Sequence, residues 1–156
     1  MRNTVALVGP VIVGLVIVGI IAIPPLEIAP RAYGHTGAKG VVKERMDLMQ
    51  TLAKSVKAIK GAMVAPGAPT AAGRKTIAAG AAVIEGHALR MLKMFPAGSG
   101  AHPSEALPSI WKDWPGFRKS ARALATAAGK LKTSAATADR STLFKGFAAL
   151  ARTCGG

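Results

Sequence analysis

Few side chains in this sequence could do chemistry, and two of them stand apart by their position. Cys154 is the only cysteine, so it cannot form an intrachain disulfide. It follows Leu143, Phe147 and Leu150 at spacings of four, three and four residues, which predicts an inward position on a helix. On that spacing alone, a buried thiol that packs as a small hydrophobe is the simpler interpretation.

Arg45 is the second, because it completes the series formed by Val42, Met49 and Leu52 on one face of a predicted helix. A buried charge without a partner is costly, so an arginine at this position needs a reason. Either it lies near a helix end and extends its head to water, or it faces a buried or half-buried anion.

The remaining candidates for a metal or a catalytic site are weak. His35, His87 and His102 are the only histidines, and we interpret each as an ordinary surface residue. The sequence contains no carboxylate pair, nucleophile–base set, cluster with metal-ligand spacing or phosphate-binding glycine loop. We therefore do not expect an enzyme.

The composition indicates close-packed helices with a strongly basic surface. Half of the 156 residues are apolar, yet only 4% are aromatic, and alanine is the best helix former. A core with so few large side chains is thin, and helical bundles of this kind often hold a cofactor at the centre. The net charge of +14 favours anionic partners. Nucleic acid is not expected, because no interleaving of basic and aromatic residues is present.

Four amphipathic stretches predict an all-α protein, an antiparallel four-helix bundle spanning residues 38–156. The first helix is expected over 38–63 and the second over 71–94, with Thr70 as its cap. Ser109 or Asp113 is expected to cap the third, which ends near 136, and Asp139 or Ser141 the fourth. The predicted inward residues are Val42, Met49, Leu52, Val56, Ile59, Met63, Ile77, Ala81, Ile84, Ala88, Met91, Trp114, Phe117, Ala121, Leu124, Ala128, Leu131, Ala135, Leu143, Phe147, Leu150 and Cys154.

The first 25 residues predict a transmembrane or signal-anchor helix. The run from Val5 to Ile23 carries no charge and approaches the ~20 residues that cross a bilayer. Pro24 and Pro25 follow where a signal peptidase would need small residues, so an uncleaved anchor is the first interpretation. A cleaved signal and a buried soluble helix are the alternatives. Arg2 favours a cytoplasmic N-terminus, which would put the bundle in a bacterial periplasm. Residues 26–37 are interpreted as a linker.

The order of motifs over residues 38–156 resembles the class II c-type cytochromes, which include cytochrome c′ and the cytochromes c-556. The segment 41–49, VVKERMDLM, resembles the opening helix of that family, with an arginine and, four residues later, a methionine. The segments 95–99, FPAGS, and 110–113, IWKD, are similar to its loop and third-helix start. The tail 143–156 is similar to the approach to the haem-attachment motif Cys-x-x-Cys-His, of which Cys154, Gly155 and Gly156 match the first three positions.

The resemblance implies one covalent haem c and assigns roles to five residues. Cys154 would form a thioether, Arg45 would pair with a haem propionate, and Met49 would lie at the distal position as a sixth ligand of the iron. Phe95 and Phe117 would wall the pocket, although plain core packing remains open for both and for Met49. The second cysteine and the axial histidine are expected beyond residue 156, with loss of haem as the alternative.

Three functions follow from these observations. The first is a membrane-tethered periplasmic electron carrier whose basic surface docks acidic redox proteins or a respiratory or photosynthetic membrane complex. The second is a haem protein that binds nitric oxide or another small gas. The third is a haem-free structural or accessory subunit of a membrane complex. A homodimer is an open expectation for all three.

Overall fold

The computed structural model describes residues 37–67 and 69–154. Within them the chain is all-α, with no strand. The helices are α1 (Gly40–Val64), α2 (Ala71–Met91), α3 (Ser109–Lys112), α4 (Trp114–Ser134) and α5 (Arg140–Arg152). The predicted anchor at 1–25 and all of the predicted linker except residue 37 lie outside the described residues. None of the described helices combines the length and hydropathy that a membrane span needs.

Three of the predicted caps fix where the helices begin. The hydroxyl of Thr70 accepts a hydrogen bond from the Gly73 amide, and the carboxylate of Asp139 accepts one from the Thr142 amide. The carboxylate of Asp113 accepts from Gly116 at the start of α4. Each cap satisfies an amide that the first helical turn leaves without a partner.

The predicted third helix is divided in two. Ser109 begins a single turn, α3, which ends before Asp113. Asp113 has φ −120° and ψ 61°, outside the helical region, because it serves as the N-cap of α4. Pro115 is accommodated in the first turn of α4, where its missing amide proton leaves no bond unmade.

The helices pack as an antiparallel bundle in which α2 lies between α1 and α4, and α4 carries α5. A Cβ on Gly80 would lie 2.8 Å from the Ile59 side chain, so the absent side chain lets α1 and α2 approach closely. The contact between α1 and α5 is much sparser than the other three contacts around the bundle. One side of the bundle is therefore loosely closed.

The core follows the predicted stripes with two exceptions. Ile59, Ile77, Ile84, Leu131, Leu143 and Leu150 are the largest of the fully buried side chains. The prediction of an inward Met49 is wrong, since its side chain is 50% exposed and Leu48 is buried instead. The predicted inward position of Cys154 is also wrong, because α5 ends at Arg152 and the cysteine lies exposed in the following turn.

Candidate functional site

Arg45 lies at the centre of the candidate site, buried on the first half of α1 with 5% of its surface exposed. Its Nε donates to the Met94 carbonyl at 3.0 Å, and Nη2 donates to the same oxygen at 2.8 Å. Nη2 also donates to the Ser99 hydroxyl at 2.8 Å, and Nη1 donates to the Ser104 hydroxyl at 2.7 Å. The Ser99 carbonyl, 3.3 Å from both terminal nitrogens, completes the set. One side chain thus fixes the connection between α2 and α3.

An aromatic cluster covers the same guanidinium. The Phe95 ring lies 4.1 Å from the Arg45 guanidinium carbon, and the Trp111 ring lies 6.0 Å from it, within reach of a cation–π interaction. Phe95 packs edge-on against Phe117, with 4.9 Å between ring centroids, and Phe117 packs against Trp114 at 5.4 Å. The Trp111 indole N–H donates to the carbonyls of residues 95 and 96, both at 3.1 Å. The cluster therefore joins the loop to the start of α4.

The charge of Arg45 has only neutral partners. The two ion pairs recorded in residues 37–67 and 69–154 are Lys43–Asp47 and Lys132–Glu85, and neither involves Arg45. Burial lowers the pKa of Arg45 from its ordinary value, but a guanidinium stays protonated. The first interpretation of Arg45, a head extended to water, is wrong. The second interpretation, an arginine that faces a buried or half-buried anion, is untested, because the observed hydrogen-bond acceptors are carbonyl and hydroxyl dipoles.

Met49 and Cys154 belong to the same end of the bundle as Arg45. Met49 lies one turn after Arg45 on α1, and its side chain is 50% exposed. Because α5 runs antiparallel to α1, its end near Cys154 is level with the start of α1. The exposed thioether of Met49 and the exposed thiol of Cys154 are therefore both accessible at this end of the bundle.

The two described histidines differ in exposure. His102 is exposed in the loop between Ser99 and Ser104, as expected of a surface residue, whereas His87 is half-buried on α2. His35 lies outside the described residues. No group of three or more His, Cys, Asp or Glu side chains within 37–67 and 69–154 could hold a bare metal ion.

Sequence reasoning missed the serines that hold Arg45. The sequence predicted no contact between Arg45 and either Ser99 or Ser104. The available signal was the inward position of Arg45, because a buried arginine needs hydrogen-bond acceptors and both serines lie in the loop that follows Phe95. Trp111 was noted for the resemblance, but its indole bond to the loop was not foreseen.

The sequence contains some, but not all, of the groups that would bind the haem c that the resemblance implies. Cys154 offers an accessible thiol for one thioether, and Met49 offers an uncommitted sulfur for the iron. Arg45 fits less directly, because its N–H groups already have acceptors in the loop. A second cysteine is not in the sequence, and the histidines are those already placed.

Comparison with solved structures supports the same fold. Cytochrome c′ from Thermochromatium tepidum matches with a TM-score of 0.64 at 23% identity, covering 74% of this chain and 88% of that one. Cytochrome c′ from Rubrivivax gelatinosus gives 0.63 at 23% identity, covering 74% and 89%. A third, a cytochrome c′ described as having ligand-controlled dimer dissociation, gives 0.64 at 18% identity, covering 74% and 88%.

Comparison of the sequence with curated proteins found no match. The family model described as Cytochrome C′ matches residues 40–156, which are the whole bundle and most of the chain. Because this match covers more than half of the chain and the four-helix fold agrees with it, the chain belongs to the cytochrome c′ family of haem proteins.

Proposed function

We propose that this protein is an electron carrier, not an enzyme, that binds one covalent haem c and works on the periplasmic side of a bacterial inner membrane, tethered by its N-terminal segment. The observation that carries the proposal is the exposure of Met49. A large apolar side chain that is 50% exposed contributes little to the core, so plain core packing is a poor explanation for it. A free thioether at this position suits a sixth ligand, and six-coordinate iron suits electron transfer.

The other residues have supporting roles in this proposal. Cys154 would fix the group through a thioether. Bound haem supplies an iron that accepts and releases one electron. Phe95 and Phe117 would exclude water from one side of it. Arg45 would attract a propionate through its uncompensated charge, while its hydrogen bonds keep the loop in place.

The basic surface supports an acidic partner. With a net charge of +14, long-range attraction would accelerate encounters with an acidic redox protein or membrane complex. Rates of reduction by such a partner should fall as salt rises, and rates independent of salt would count against the proposal. A homodimer is compatible with it, and one similar structure is described as a dimer that dissociates under ligand control.

Gas binding is the second candidate, and the same half-exposed Met49 favours it. No recorded hydrogen bond or ring contact holds this side chain, so it could move aside and leave the distal position to a small gas. The ferric spectrum decides between the candidates, because a bound thioether gives low-spin iron and an open position gives high-spin iron.

The test begins with the intact mass of the full-length protein, isolated from its own membranes and denatured. We expect the mass of the polypeptide plus one haem, since denaturation removes haem that is not covalent. A mass without haem would overturn both candidates and favour the haem-free accessory subunit.

The second step compares two methionines on α1. Met49→Ala should convert a low-spin ferric spectrum to a high-spin one, whereas Met46→Ala, three residues away and half-buried, should leave it unchanged. A high-spin wild-type spectrum, or a Met49→Ala spectrum identical to wild type, would remove Met49 as a ligand.

A further inference from the structure

The outer face of α4 is basic and carries no acidic side chain. Arg118, Lys119 and Arg122 lie within its first half and Lys130 in its second, and all four are exposed. The helix from Trp114 to Ser134 contains no Asp or Glu. We call the group formed by Arg118, Lys119 and Arg122 the α4 triad.

The α4 triad has no ion-pair partner among the described residues. The single ion pair recorded for α4 joins Lys132, ten residues further on, to Glu85. Arg118 and Arg122 are spaced four residues apart, which puts two like charges next to each other on the helix surface and destabilises it. An external anion would relieve that repulsion. The repulsion lowers the stability of the isolated protein, and binding of an anionic partner would restore it.

The triad also lies next to the candidate site. Phe117, which packs on Phe95 at 4.9 Å between ring centroids, immediately precedes Arg118. A protein that docks on the triad would therefore approach the end of the bundle that carries Arg45 and Met49. A second group of three exposed cations, Lys54, Lys57 and Lys60 on α1, lies in the other half of the bundle.

We propose that the α4 triad is the docking surface for an acidic redox protein, recognised through a cluster of carboxylates; this inference rests on the proposed function. A protein fits the face better than an anionic bilayer does. Interfacial helices insert large apolar side chains beside their cations, whereas the exposed α4 residues between the cations are small, such as Ser120, Ala123 and Thr126.

The experiment uses the full-length haem-loaded protein in detergent and a fluorescein-labelled oligoglutamate peptide as the probe. Binding is followed by fluorescence anisotropy at rising salt. The test variant is Arg118→Gln/Lys119→Gln/Arg122→Gln. The matched control is Lys54→Gln/Lys57→Gln/Lys60→Gln, which removes the same charge from another place, and Gln preserves helix propensity. The α4 variant should bind the peptide about 10-fold more weakly at low salt, and the control about 2-fold or less.

Equal losses in the two variants would overturn the proposal, because net charge alone would then explain the binding. The same holds if the α4 variant loses affinity for vesicles of phosphatidylglycerol but keeps its affinity for the peptide, since the face would then bind a membrane. The peptide assay does not detect the iron. Failure of the electron-transfer function appears separately, as a missing haem mass or a haem that ascorbate and dithionite do not reduce.

Discussion

The two ends of the bundle are built on different principles. At the closed end, where short connectors join α1 to α2 and α4 to α5, the buried side chains are aliphatic and Ile77 and Leu143 are almost fully enclosed. At the site end, which holds the start of α1, the loop 92–108 and the end of α5, an arginine is buried beside apolar side chains such as Leu150 and Phe95. Met49 there is 50% exposed and Leu107 is 67% exposed.

The difference is that the site end adds directional contacts to the apolar packing that both ends share. Apolar burial is non-directional and gives most of the free energy of folding. Hydrogen bonds to a buried guanidinium are directional and hold a loop in one place. With the loop held in this way, the sulfur atoms of Met49 and Cys154 remain exposed, where a ligand would use them.

The largest expected effect contrasts a leucine from each end. Leu131→Ala at the closed end should lower the free energy of unfolding by about 2–5 kcal/mol, because it removes a fully buried side chain and leaves a cavity. Leu107→Ala at the site end should change it by about 0.5 kcal/mol or less, since the side chain is already in water. Urea unfolding of both variants measures the contrast. Similar losses would contradict the division of the bundle into two kinds of packing.

The next effect tests what holds the site end together. Arg45→Lys keeps the charge but cannot reach the Met94 carbonyl and the Ser104 hydroxyl at once. It should cost about 2–4 kcal/mol, because several hydrogen bonds to a charged group are lost. Limited proteolysis should then cut the loop 97–105 faster than in wild type. The control is Arg90→Lys, an exposed arginine on α2; equal loop protection in both variants would show that Arg45 does not order the loop.

The closed end was the more predictable from sequence, for a physical reason. Thr70 and Asp139 cap helices through bonds to residues three positions away, and the α2 stripe repeats with the helical period. Both are local patterns. At the site end, the partners of Arg45 lie 49 to 59 residues away, and neither periodicity nor propensity specifies which loop groups meet a helix.

The errors at Met49 and Cys154 have different causes. Periodicity assigns Met49 to a stripe, but burial also needs a neighbouring element to cover that stripe, and its side chain stays 50% exposed. Cys154 is exposed because α5 ends at Arg152, before the cysteine. The end of α5 and the coverage of each stripe could be found only from the structure.

A smaller effect concerns pH at the closed end. Hydrogen bonds from the Thr142 amide and hydroxyl lower the pKa of Asp139 below its ordinary value of 3.8. A carboxyl with a lowered pKa stabilises the fold above the unfolded value, and this contribution is lost as pH falls from about 3.8 through the folded pKa. Asp139→Asn keeps a cap without a charge, so it should lack this part of the acid sensitivity. Thermal unfolding of both proteins between about pH 5 and pH 2 measures the difference. If the melting temperatures of the two proteins fall in parallel as pH is lowered, the prediction is contradicted.

The smallest effect concerns the ion pair between Lys132 on α4 and Glu85 on α2, with 2.6 Å between Nζ and Oε2. Their side chains are 43% and 34% exposed, so water and salt screen the attraction. A double-mutant cycle with alanine at both positions should give a coupling of about 0.2–1 kcal/mol, which decreases as salt is added.

A substitution at Gly129 tests the same ion pair in a second way. A Cβ there would lie 2.8 Å from the Glu85 carboxylate, which is the flexible end of a side chain and can move aside. Gly129→Ala should therefore weaken the ion pair, yet raise stability by up to about 1 kcal/mol through helix propensity. If it destabilises the protein instead, the ion pair contributes more than an exposed pair should, and the packing of α2 against α4 depends on charge as the site end does.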